Sequence, residues 1–245
     1  MLDHTTLYVL AVVFAATLIR STFGFGEALV AVPLLALRIP VAVAAPLAVS
    51  ISVVVAAVIV AQDWRKIEMR SAAGLVIASL FGIPLGLLAL ARMNDAAVRV
   101  VLGLVIVSFS AYSLIAKQKL HLKEDHRSLL IAAGVISGVL GGAYGMNGPP
   151  LAIYGSLRRW SPQHFRATLQ GYFLPASILG LIGYAAIGLW TAAVTRYLLL
   201  SLPAALGAIL LGRSLNRRLR GDRFFRFVYL GLIVIGGVLV VSRPS

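Results

Sequence analysis

The chain has 245 residues, 60% hydrophobic and 12% charged, with a mean hydropathy of +0.95, which excludes an ordinary water-soluble domain and indicates an integral membrane protein. Its formal net charge of +14 does not mark a nucleic-acid binder, because Lys and Arg fall in short loops between apolar spans rather than on one amphipathic face. With no cysteine, disulfides, thiol nucleophiles and thiolate metal sites are excluded.

The first apolar run starts at Leu7 behind Asp3 and His4, without a basic segment or a small-residue cleavage site, and is expected to be retained rather than removed as a signal peptide. It covers about 7–37, too long for one untilted crossing of ~30 Å of hydrocarbon and too short for two. Phe23-Gly24-Phe25-Gly26-Glu27 breaks it near the middle. Three segments of one crossing each follow, at about 40–61, 72–91 and 96–116. Residues 117–127, rich in Lys, His, Glu and Asp, read as a linker, with His121 and His126 expected to be solvated rather than metal ligands. A second long run at about 128–157 carries the break Tyr144-Gly145-Met146-Asn147-Gly148-Pro149-Pro150, and crossings at about 165–189, 191–212 and 224–242 complete the chain.

Each broken run is expected to form either a re-entrant hairpin of two half-helices of roughly 15 residues, or two short tilted passes, against the alternative of a single tilted, broken helix. If each run returns to its own side, one face collects 16 Lys and Arg, namely Arg65, Lys66, Arg70, Lys117, Lys119, Lys123, Arg127, Arg158, Arg159, Arg166 and the six Arg of 213–226. The other keeps five, Arg38, Arg92, Arg99, Arg196 and Arg243. That asymmetry favours the returning arrangement, with both termini outside. At a shift of 121 residues Phe23-Gly24 meets Tyr144-Gly145 and Leu85-Gly86 meets Leu206-Gly207. The expected fold is therefore an all-α polytopic helical bundle of two inverted repeats, 1–116 and 128–245, each a broken segment plus three crossings.

Glycine permits close backbone approach, and Pro149 and Pro150 can open a helix. Each break would leave backbone N–H groups at the start of the following half-helix, a suitable donor set for an oxyanion deep in the bilayer. The competing reading of the glycines is close helix packing, as at Gly82/Gly86 and Gly134/Gly138. The substrate-binding candidates are Arg20, Phe23, Gly24, Gly26, Tyr144, Gly145, Asn147, Gly148, Thr168 and Gln170. Ser50, Ser52, Tyr172 and Ser177 are further polar groups on crossings next to the breaks. Intramembrane charges are costly and face protein or a cavity. Arg20 and Glu27 either pair with one another or divide the work, Arg20 attracting the anion and Glu27 taking up a proton. No catalytic constellation, metal-ligand spacing or cofactor motif is present in the sequence, so the chain is expected not to be an enzyme.

The runs Gly24-Phe25-Gly26-Glu27-Ala28-Leu29-Val30-Ala31-Val32-Pro33-Leu34 and Gly134 to Leu151, followed by Arg166-Ala167-Thr168, resemble the sulfite exporter TauE/SafE family of membrane permeases over nearly the whole chain. The resemblance implies transport of a small organic or sulfur-containing anion, of the sulfite, sulfonate or sulfoacetate class, across a cytoplasmic membrane. The chain departs from the family pattern at Glu27 and Asn147, where many relatives carry glycine, so these two positions are expected to tune substrate choice or proton coupling. A secondary transporter is the leading expectation, with an anion channel as the alternative and an intramembrane enzyme behind both. The expected partners are a small anionic substrate and the lipid bilayer, with no nucleic acid; a homodimer is admissible.

Overall fold

Asp3 starts the first helix as its N-cap, accepting from the Thr6 N–H at 3.2 Å and from the Thr6 hydroxyl. These bonds hold the Asp3 carboxyl below its ordinary range. The computed structural model describes residues 3–115, 126–158, 160–216 and 222–241, apart from the side chains at 156, 162, 213, 216, 222–229 and 231. Of the expected linker at 117–127, residues 117–125, with His121, lie outside the described residues, as do the basic residues at 217, 218 and 220.

The described chain is helical: α1 (His4–Phe23), α2 (Glu27–Leu35), α3 (Val41–Asp63), α4 (Met69–Arg92), α5 (Asp95–Ile115), α6 (Arg127–Tyr144), α7 (Gly148–Leu157), α8 (Pro162–Ala186), α9 (Ala192–Asn216) and α10 (Asp222–Val241). Seven of these, α1, α3, α4, α5, α6, α8 and α9, are long and apolar enough to cross a membrane. The chain is a polytopic helical membrane protein.

Close contacts fix the helix directions. Along α4 and α6, Leu130 lies at Gly74, Ala78 at Gly134 and Val139 at Gly86, so the two run parallel. Along α1 and α9, Arg196 lies 3.9 Å from Asp3 and Gly212 touches Ser21, again a parallel pair. Helices α3 and α8 run antiparallel, with Val49 beside Gly180 and Ser52 bonded to Ser177 at 3.1 Å. Leu87 meets Gly183, which puts the ends of α4 and α8 on one face. The start of α3 joins them there, because the Val41 N–H donates to Asp95 Oδ1 at 3.4 Å. Asp3, Val41, Asp95 and Arg196 thus share one face, and Trp64, Arg127 and Arg158 the other. This division is the one that returning hairpins require.

The first hairpin closes through Tyr8, whose hydroxyl donates to Leu34 O at 2.7 Å while Arg38 stacks on its ring at 5.5 Å. Its arms are unequal, 20 residues in α1 against nine in α2, and the second hairpin has 18 in α6 against ten in α7. Half-helices of equal length were expected. The Asp3 cap extends α1 at its start, and residues 36–39 form turns instead of helix, so the break falls well past the centre of the segment.

Matching α1–α5 to α6–α10 in order turns the packing of α1 on α9 into that of α6 on α4, and α3 on α9 into α8 on α4. It carries the α3–α8 and α5–α10 contacts onto themselves. The two seams differ in tightness. A Cβ on Gly82 or Gly86 would fall 2.1 Å from a backbone oxygen of α6, so α4 and α6 touch backbone to backbone. In the α1–α9 seam the positions equivalent to Gly134, Gly138 and Gly142 carry Val13, Thr17 and Ser21, and a Cβ on Gly212 would fall 3.1 Å from the nearest backbone oxygen of α1 against 2.1 Å at Gly82 and Gly86.

Candidate site between the two helix breaks

Both breaks end their helix in the same way. Gly24 (φ +91°) and Gly145 (φ +68°) adopt the left-handed conformation that glycine tolerates, and their N–H groups close the last turns on Arg20 O and Gly141 O. Each packs on the third helix of the opposite half. Gly145 sits against Val49 of α3, and the Gly24 carbonyl accepts from Gln170 Nε2 of α8 at 2.5 Å. Val49 and Gln170 are each about a third of the way along their helices, starting from opposite faces. The turns therefore do not meet tip to tip at mid-depth, the arrangement that equal arms would have produced.

They do border one cavity. Its walls include Gly26, Glu27, Ala28 and Leu29 from the first turn of α2, Gly145 to Pro149 from the second break, and Arg20, Ser52, Phe25 and Phe173. The space open to the centre of a water-sized sphere is about 20 Å³, room for about one water molecule. Gly26 (φ +97°) caps α2 without a side-chain hydrogen bond, which leaves the first N–H groups of that helix facing the cavity wall.

Arg20 is the centre of the polar wall. It is 3% exposed and donates from Nη1 to Glu27 Oε2 at 2.5 Å and to Ser52 Oγ at 2.7 Å, and from Nη2 to Gln170 Oε1 at 2.7 Å. Its guanidinium lies 4.9 Å from the centroid of the Phe173 ring. Thr17 donates to the other Glu27 oxygen at 2.9 Å. The first of the two roles weighed for Arg20 and Glu27, direct pairing across the break, is therefore present in this form of the protein. It joins two elements that the chain turn separates and a third, α8, that lies 150 residues away.

The other candidates divide. Asn147 and Gly148 reach the cavity, and Gly148 approaches both Phe25 and Phe173. Gln170 stands behind Arg20 and holds the first turn. Thr168 lies elsewhere: its hydroxyl accepts from the Glu68 N–H at 3.0 Å and steadies the start of α4. The Tyr144 hydroxyl points away to Val98 O at 3.3 Å, and Phe23 is half-buried off the cavity wall. Ser50 bonds back to Pro46 O in its own helix. Phe173, Met146, Leu29 and Thr17 were not singled out from sequence. A Phe or Met at helical spacing looks like ordinary core, and only the three-residue spacing of Thr17 and Arg20 on one helical face gave any hint.

Tyr184, fully buried, braces the second break by donating to Gly141 O at 3.1 Å, the carbonyl that also closes the Gly145 turn. Tyr184→Phe is expected to cost about 1 kcal/mol of stability, measured as a lower unfolding midpoint in micelles.

A family model described as Sulfite exporter TauE/SafE matches residues 9–239. The chain belongs to the TauE/SafE family. Comparison with curated proteins and with solved structures gave no match. Both breaks, the cavity and all the candidate residues fall within the TauE/SafE match, and membership makes the chain a multi-pass membrane transport protein.

Proposed function

We propose that this TauE/SafE protein is a secondary transporter that carries a small organic or sulfur-containing anion, of the sulfite, sulfonate or sulfoacetate class, across the cytoplasmic membrane by alternating access. The observation that carries the reading is the single cavity bordered by both breaks, with a buried guanidinium in its wall. Such a cation is expensive in a bilayer and marks an ion pathway. Room for about one water molecule is narrower than the continuous pore of a channel and suits a site that opens in turn to either side.

Arg20 and Asn147 are the direct anion contacts in this reading, with Gly26 and Gly148 allowing the backbone to approach. Gln170 positions Arg20; Gly24 and Gly145 shape the turns; Phe23, Tyr144 and Thr168 act through the packing of the surrounding helices. Glu27 couples transport to protons. The halves 1–116 and 128–245 act as inverted repeats, a reading supported by the opposite directions of α1 and α6 and by the exchange of contacts between halves. The face holding Trp64 and Arg127 is cytoplasmic by its excess of Lys and Arg, which puts both termini outside. A homodimer is compatible with this mechanism but not required by it, because both breaks belong to one chain.

The test is stabilisation of the purified protein by sulfite, sulfoacetate, taurine and short carboxylates, followed by flux in proteoliposomes. An anionic ligand should stabilise the protein and be concentrated against its gradient when a pH gradient is imposed. Asn147→Ala should weaken that ligand about tenfold, the loss of one buried hydrogen-bonding partner. Passive equilibration alone would favour a channel. Unchanged affinity in the variant would remove Asn147 from the site.

A further inference from the structure

Resting on this reading of the site, we infer that the Glu27 carboxylate holds the place of the transported anion, so that the site takes one singly charged oxyanion head group in exchange for the charge of Glu27. In the form described, Glu27 is 3% exposed, with one oxygen on Arg20 and the other on Thr17. Both terminal nitrogens of Arg20 are engaged, and the cavity beside them has room for about one water molecule. The Arg20 Nε–H is buried without a partner, but space for about one water molecule cannot admit an oxyanion head group, so an incoming anion meets the guanidinium only where a partner makes room.

Of the three partners, Ser52 sits within a 23-residue helix, and Gln170 is anchored at its other end to Gly24 O. Glu27 is the first residue of a nine-residue helix that starts at a left-handed glycine with no side-chain cap. It is the partner free to leave. Displaced among Phe25, Leu29 and Phe173 as a carboxylate, it would be an unpaired buried charge, so it leaves as the protonated acid. The step balances: the Arg20–Glu27 ion pair, one anion A⁻ and one proton become an Arg20–A⁻ pair and neutral Glu27. Net charge in the cavity stays at zero. A doubly charged anion would leave one uncompensated negative charge buried there.

No titratable group other than Arg20 and Glu27 lines the cavity among the described residues. Arg20 and Thr17 face Glu27 from α1 and Ser52 from α3, with Gln170 of α8 behind Arg20 and Arg166 packed at Gly24. Helices α5 and α10 also pack on α2. Asp95 and Arg99 of α5 are paired with one another, and the described side chains of α10 carry no titratable group.

The test titrates the purified protein, in weak buffer with a pH indicator, with methanesulfonate as the singly charged probe and sulfate as the doubly charged one. One proton should be taken up per methanesulfonate bound. With one proton taken up per anion, affinity falls as pH rises, Kd increasing about tenfold per pH unit. Sulfate should bind at least about 100-fold more weakly, the effect of one unpaired buried charge. Glu27→Gln should bind methanesulfonate with a Kd independent of pH and without proton uptake. Proton uptake is read on the unaltered protein, so the test survives a variant that fails to fold. Methanesulfonate binding without proton uptake, or sulfate binding equally well, overturns the exchange and leaves the anion site standing; binding of neither probe overturns both.

Discussion

Arg20→Met is expected to lower stability by about 3–5 kcal/mol, because it leaves the Glu27 carboxylate buried without its cation. Ser52 and Gln170 lose their shared donor at the same time. The double variant Arg20→Met/Glu27→Leu removes both charges and replaces them with apolar groups of similar size, and its stability should recover most of that loss, short only of the bonds that Thr17 and Gln170 made to the pair. Anion binding should not return with it. The separation matters, since loss of binding in Arg20→Met alone could reflect a disturbed fold, whereas a stable double variant that binds no anion assigns recognition to the guanidinium. Unfolding midpoints in micelles and anion stabilisation of the same samples provide both readings. A stable double variant with undiminished binding would remove Arg20 from the site.

The second large effect concerns two glycines at equivalent positions, 121 residues apart. Gly86→Ala would set a methyl group 2.1 Å from Val139 O and 2.7 Å from Ala143 N, and backbone atoms cannot rotate aside. Helices α4 and α6 would have to separate, with an expected loss of about 3 kcal/mol or more. Around Gly207 nothing lies within 4 Å of the added carbon. Gly207→Ala should change stability by no more than about 1 kcal/mol, in the stabilising direction expected of alanine in a helix. Comparable losses in the two variants would contradict the tight α4–α6 seam. The contrast also has a mechanistic reading: the arm leading to the second break is clamped on α4 more tightly than the α1 arm, with Arg20, is held on α9.

Much of this arrangement was legible in the sequence. The two breaks announce themselves because glycine, asparagine and proline interrupt long apolar runs, and the excess of Lys and Arg on one set of loops favoured the returning arrangement, whose first hairpin Tyr8 and Leu34 close. Arg20 and Glu27 stand out because charge is costly in lipid. Arm lengths were not legible, since the Asp3 cap and the turns after Leu35 depend on local geometry that apolar runs do not encode. Nor was the fate of Thr168, a hydroxyl whose partner is the backbone of Glu68 one hundred residues earlier. Phe173 was hidden for a related reason: its ring reads as core until α8 is known to lie under the Arg20 guanidinium. The equivalence of Val49 and Gln170, one apolar and one amide, emerges only when the packing of each on the opposite break is seen.

The central claim, that both breaks face one chamber which opens alternately to either side, can be tested with the protein's own lack of cysteine as background. Ala28→Cys and Met146→Cys each place a single thiol in the cavity wall, one at each break. Labelling with a charged, membrane-impermeant thiol reagent applied from one side or the other should modify both positions from both sides, and a saturating transported anion should protect both together. Labelling of each position from only its own side, with no protection by the anion, would contradict a common chamber.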